Sequence, residues 1–150
     1  MPPVLGVVYN RPVFASLRKG RTMTEFLFNL HSGLRWIVLL LAIVALVMNI
    51  YALVSKRSPD DKLVKTSMRV WTISLDVQWL VGIVLLLVMG LFGRTQIEHA
   101  VANTLALIVA HSAVAFRKRP DQTRLIANIA TIVIALVIVV VAVAVVGGWS

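Results

Sequence analysis

The chain has 150 residues, 59% of them hydrophobic and 14% charged, with a mean hydropathy of +0.91, which leaves too little polar surface to clothe a water-soluble domain of this length. It contains no cysteine, which excludes disulfides, thiolate metal sites and thiol catalysis. The net charge of +9 and pI near 11.2 raise nucleic acid as a partner, but nine of the fifteen basic residues sit in two short segments between apolar runs, so no nucleic-acid partner is expected.

The first 22 residues hold Arg11, Arg18, Lys19 and Arg21, no acidic residue, and no apolar core long enough for a signal peptide. Residues 1–29 are therefore set apart as an N-terminal extension. Either translation starts at Met23, the reading adopted here, or the extension contacts a partner or the membrane surface. Residues 30–150 form the transmembrane domain.

Apolar runs then follow at 36–54, 70–92, 97–116 and 125–149. Each is near the ~20 residues a helix needs to cross the hydrocarbon core, whereas a barrel strand needs about half that. The expected fold is all-α, a four-helix transmembrane bundle running up-down-up-down. Ser58-Pro59-Asp60-Asp61 and Pro120-Asp121 break the first and third connections, and Gly90 and Gly93 close the second helix before a tight turn. The basic residues Lys56, Arg57, Lys62, Lys65 and Arg69, and then Arg117, Lys118, Arg119 and Arg124, mark loops 55–69 and 117–124 as cytoplasmic and both termini as external, in a multi-pass protein of the cell membrane. Trp36, Trp71, Trp149, Tyr51 and Phe116 are expected at the interfaces, Trp79 inside or against a partner, and the Val- and Ile-rich fourth helix against lipid or a neighbouring subunit.

Polar residues interrupt the apolar runs at two levels. Counted from the ends of the runs, Asn49, Asp76, His111 and Asn128 all lie about 5 to 9 Å inside the cytoplasmic face, which predicts a buried hydrogen-bonded layer with His111 as the partner of Asp76. Its two readings are a polar clamp that fixes helix register and a proton relay.

Near the other face, His31 and His99 begin helices one and three, which run the same way. Two histidines on parallel helices of a bundle are placed to clamp a haem iron. Arg35, Val38, Ala42, Ala45 and Asn49 share the phase of His31, and Asn103, Ala110 and Ala113 that of His99, so both faces are small and polar. Arg35 is placed for a haem propionate, a lipid phosphate or Glu98. His111 has no imidazole partner, so one haem at most is expected. No nucleophile with a base beside it points to a hydrolase, and the only membrane carboxylate lies on the second helix, unlike the first-helix carboxylate of four-helix multidrug exporters.

The stretches LHSGLRW (residues 30–36), D-x-Q-x-x-x-G (Asp76, Gln78, Gly82), Glu98-His99 and Ala110-His111 resemble the small four-helix bacterial membrane proteins catalogued as cytochrome b-like. The likeness covers about residues 30–149 and rests on short motifs. His31 and His99 match the group's motif, whereas Asp76 stands where that group tends to carry histidine. The resemblance implies a small membrane subunit of a respiratory or photosynthetic electron-transfer complex, with one haem b bound by His31 and His99 between helices one and three. The alternatives are a cofactor-free accessory or assembly subunit packed against larger membrane subunits, and a proton-relay membrane protein. None of these is an enzyme on its own.

Overall fold

A computed structural model describes residues 11–90 and 92–147, with side chains from Met23 onward. The fold is an all-α four-helix bundle: α1 (Arg11–Val54), α2 (Lys62–Met89), α3 (Arg94–Ser112) continued by a 3-10 turn (Ala113–Phe116), and α4 (Asp121–Val145). All four helices are long and apolar enough to cross a membrane. α1 packs on α2, α3 on α4, and α4 returns to α1, while α2 and α3 make the lightest of the four contacts. This cyclic order leaves α1 and α3 diagonal, and parallel.

Each helix starts before its apolar segment because residues that favour helix precede that segment, while α2 and α4 stop at Met89 and Val145, short of the expected ends at 92 and 149. Asp61 caps α2 by accepting from the Leu63 amide at 3.0 Å, so the helix begins at Lys62 and the connection is 55–61 rather than 55–69. Pro120 precedes Asp121 at the start of α4, shortening the other connection to 117–120. α2 ends at Gly90, whose φ of 61° is the left-handed conformation that glycine adopts without a Cβ penalty. α1 ends the same way on Lys56, at φ 53°, with the Arg57 amide returning to the Ala52 carbonyl at 2.8 Å. The division at residue 29 marks no structural break, since α1 runs unbroken through it. Residues 1–10 and Trp149 lie outside the described residues, so the expectations placed on them are not addressed by this structure.

Small residues set the helix spacing. Ala42 and Ala45 of α1, Ala106 and Ala110 of α3, and Ala135 and Ala142 of α4 are buried at the centre, where they let backbones approach closely. Val38, Leu75, Ile132, Val139 and Val143 fill the remaining volume. Trp71 joins this core at 1% exposure, correcting its expected place at the interface. Its indole shares the stripe of Val64 and Leu75, which faces α1 and α4, so packing overrides the aromatic-belt preference. α4 has two faces: Leu125, Ala127, Thr131, Ile132, Ala135, Val139, Ala142 and Val143 form a buried stripe, while Val133, Ile134, Val137 and Val141 are exposed as expected of a helix against lipid or a neighbouring subunit. Its uniform hydropathy hid that stripe, because inside and outside are distinguished there by side-chain size rather than polarity. Outside, Leu40, Ile43, Leu80, Leu87, Val137 and Val141 are exposed, as a lipid-facing surface requires.

One polar contact ties the connections together. Arg124 in the first turn of α4 donates Nη1 to Asp60 Oδ2 at 2.8 Å and Nη2 to Asp60 Oδ1 at 3.0 Å, a bidentate fork from α4 onto the α1–α2 connection. Those hydrogen bonds, with the charges of Arg124 and Lys65 adding to them, hold the Asp60 carboxyl below its ordinary value. A depressed acid contributes stability above its unfolded value and loses it as pH falls through its folded value. In the Arg124→Ala variant the Asp60 titration followed by carboxyl carbon NMR is expected to rise toward its ordinary value, and the acid-dependent loss of stability that the Arg124–Asp60 fork contributes is expected to disappear.

Candidate intramembrane polar sites

All four helices contribute to one polar cluster in the half of the bundle that carries the Gly90–Gly93 turn. The α2 residue Gln78 donates its side-chain amide to the His31 carbonyl at 2.9 Å, with the same nitrogen 3.3 Å from His31 Nδ1 and 3.5 Å from Nε2. One turn on, Gly82 forms the floor beneath the ring, and a Cβ there would stand 2.8 Å from His31 Cε1. His31 thus occupies the notch that this glycine leaves. On α3, His99 Nδ1 lies 2.7 Å from the Ala142 carbonyl of α4. A carbonyl only accepts, so Nδ1 carries the proton and a neutral ring leaves Nε2 as acceptor for the Asn103 amide at 3.1 Å. Asn103 also donates to the His99 carbonyl at 2.8 Å. The two imidazoles meet edge to face, with centroids 6.3 Å apart and planes at 76°.

Haem ligation asks each imidazole to present a nitrogen lone pair along a common line through the iron, with the flat macrocycle between the two rings. His31 and His99 are the right residue types, but they do not fit that demand as packed. The one lone-pair nitrogen of His99 faces Asn103 of its own helix, the His31 ring is seated in the Gly82 notch against the Gln78 amide, and the rings touch each other directly. Arg35 places its guanidinium 5.3 Å from the centre of the Trp36 ring. Glu98, one of its expected partners, is engaged by Arg94 at 2.7 Å instead.

The expected single layer of Asn49, Asp76, His111 and Asn128 is two separate pairs. Asn49, fully buried on α1, accepts from Asn128 Nδ2 of α4 at 2.9 Å and donates its own amide to the Ala45 carbonyl at 2.8 Å. This pair stands one turn above the small cluster of Ala52, Val64 and Leu125. Asp76 and His111 also meet, Oδ1 to Nε2 at 2.8 Å, but their side chains are 45% and 52% exposed. Asp76 is twelve residues along α2 from Val64, about 18 Å of helix, against about 4.5 Å from Ala52 to Asn49. The two pairs therefore lie about 13 Å apart along the bundle.

Two physical reasons account for the correction. Depth counted from the apolar run at Val70 misses the polar first turns of α2, so Asp76 is deeper than the count implied. Rotation does the rest: Asp76 follows the buried Leu75, and about 100° of turn carries it from the interior to the α2–α3 seam. Gln78, about 200° beyond Asp76, faces inward. Between the histidine cluster and the asparagine pair, the interior is the apolar core of Ala42, Ala45, Leu75, Ala106, Ala110, Ile132 and Ala135, with no buried titratable group among the described residues. Gln78, Asn103 and the Trp79–Thr104 hydrogen bond of 2.9 Å joining α2 to α3 were not assigned as site residues from sequence. The helical phase shared by Gln78 and Gly82 is the signal that marks the inward side of α2.

Asn128→Leu is expected to leave Asn49 Oδ1 buried without a donor and to cost about 1 to 3 kcal/mol, read from unfolding of the detergent-solubilised protein. Asn128→Gln, which keeps a donor, should cost less. No protein-family model, curated protein or solved structure matches the chain.

Proposed function

We propose that this protein is a small, non-enzymatic subunit of a larger membrane assembly, a cofactor-free bundle whose α2–α3 flank is covered by protein rather than lipid. The carrying observation is the Asp76–His111 pair, a carboxylate and an imidazole half-exposed on the outside of a bundle whose other outward positions are mainly aliphatic. An aspartate at the centre of a membrane helix costs about 3 kcal/mol on insertion scales, and a neighbouring protein surface removes much of that cost. The interior supports a structural role: Gln78 and Asn103 hold the two histidines, and the Asn49–Asn128 bond fixes the register of α1 against α4. The resemblance of residues 30–36 and of Asp76, Gln78, Gly82 and His99 to cytochrome b-like proteins places electron-transfer complexes first among the assemblies to examine.

The orientation belongs to the same proposal. The loop end of the bundle exposes Lys56, Arg57, Lys62, Lys65, Arg69, Arg117, Lys118 and Arg119, and the positive-inside rule assigns that end to the cytoplasm. Reporter fusions after Arg57 and Arg119 should read cytoplasmic and a fusion after Arg94 external; the reverse pattern would invert the assignment.

An optical spectrum of the purified protein, with and without dithionite, is expected to show no reduced α-band. A band that disappears in both His31→Ala and His99→Ala would replace this reading with a haem-binding one, and would require the Gln78 and Asn103 contacts to open.

A further inference from the structure

The α2–α3 flank has an unusual hydrogen-bonding inventory. Thr72 turns its hydroxyl to the Met68 and Arg69 carbonyls, and Ser112 to the Val109 carbonyl at 2.7 Å, so the hydroxyls are already satisfied by their own helices. What is left among the described residues is one acceptor and one ring nitrogen, Asp76 Oδ2 and His111 Nδ1, because the 2.8 Å contact uses only Oδ1 and Nε2. Written as an ion pair, the two groups have no net charge, the carboxylate accepts, and the imidazolium Nδ1–H donates. Around them the flank is apolar: Ile73 and Leu80 of α2 and Ile108 of α3 are all more than half exposed.

We propose that the partner on this flank is a second copy of the same chain, related by a twofold axis beside Asp76 and His111. The proposal rests on the reading that protein covers this flank, and it names the protein. A twofold interface sets each group opposite its complement: His111 Nδ1–H of one copy donates to Asp76 Oδ2 of the other, and the reverse. The four groups then close a ring of hydrogen bonds in which both N–H donors of each imidazolium and both oxygens of each carboxylate are engaged. The ring is electrically neutral, so no counter-ion is brought into the membrane. A lipid chain offers neither donor nor acceptor here. A different protein would have to supply both at the same spacing, whereas the symmetric copy has them by construction. Ile73, Leu80 and Ile108 form an apolar border that keeps the ring dry and its hydrogen bonds strong.

The test is photo-cross-linking in intact cells with benzoylphenylalanine placed at position 108, one turn from His111, using two differently tagged copies of the full chain. The expected product carries both tags and runs at twice the 16.5 kDa mass of the chain. The same probe at position 137, on the outward face of α4, should give no such product. Replacing the pair together, Asp76→Leu with His111→Leu, should keep the helical circular dichroism and lower the doubly tagged product about tenfold, the change that about 1.4 kcal/mol produces. A product joining position 108 to a protein of another mass would overturn the second copy while leaving the subunit reading in place. Probe reaction with lipid alone would overturn both. An undiminished doubly tagged product in the folded double variant would also overturn the proposal, because the contact would then not depend on Asp76 and His111.

Discussion

A lipid bilayer offers no water to a polar side chain, so the polar groups of this bundle are answered chiefly by other parts of the protein. The consequences are visible at each helix contact. Gln78 answers His31, Ala142 and Asn103 answer His99, Asn128 answers Asn49, and Thr104 answers Trp79. Each of these bonds except Asn103–His99 joins two helices, so satisfying the polar groups and specifying which helices are neighbours are one event. Apolar packing alone does not do this, because lipid chains are as apolar as the helix surfaces they would replace. Alanines at the centre bring the helices close, and the polar bonds fix their rotation and register.

The two sides of α2 illustrate how closely opposed demands are placed. Gln78 and Gly82 face inward, one donating to the His31 backbone and the other vacating space for its ring. Asp76, only two residues from Gln78, faces the outer seam and meets His111. Helix α2 therefore stands between an interior whose polar groups largely answer one another, with the buried Gln78 Oε1 left without a donor, and an open flank. The light contact between α2 and α3 fits this role, since the pair is bridged mainly by Trp79–Thr104 and Asp76–His111.

Much of the fold is legible in the sequence because membrane thickness imposes a length and lipid imposes a composition. The four apolar runs, the glycine turn and the loop prolines suffice for the number and order of the helices. Radial placement is less legible. Trp71 reads as interfacial by residue type, yet it is buried by its helical phase, and α4 hides its inward stripe among valines and alanines that differ only in size. Depth is misread where a helix starts before its apolar run, which is how Asp76 came to share a level with Asn49 on paper and not in space. Pairing by chemistry is the readable part of the site: Asp76 finds His111 wherever the two are placed. The haem geometry attributed to His31 and His99 depends on ring orientation, which Gln78, Gly82 and Asn103 control and which residue spacing does not encode.

The fork between Arg124 and Asp60 bears on the order in which the bundle is completed. Helices α1 and α2 enter the membrane first, and the connection that joins them carries Asp60 while α1 carries Asn49, each awaiting a donor. Both donors, Arg124 and Asn128, arrive on the last helix, one turn apart. Arrival of α4 therefore closes the ring at two points at once, one in the connection and one within the span. An α1–α2 hairpin without α4 keeps the Asp60 carboxylate and the Asn49 amide oxygen without the donors that α4 brings, features open to any quality-control machinery that samples the membrane.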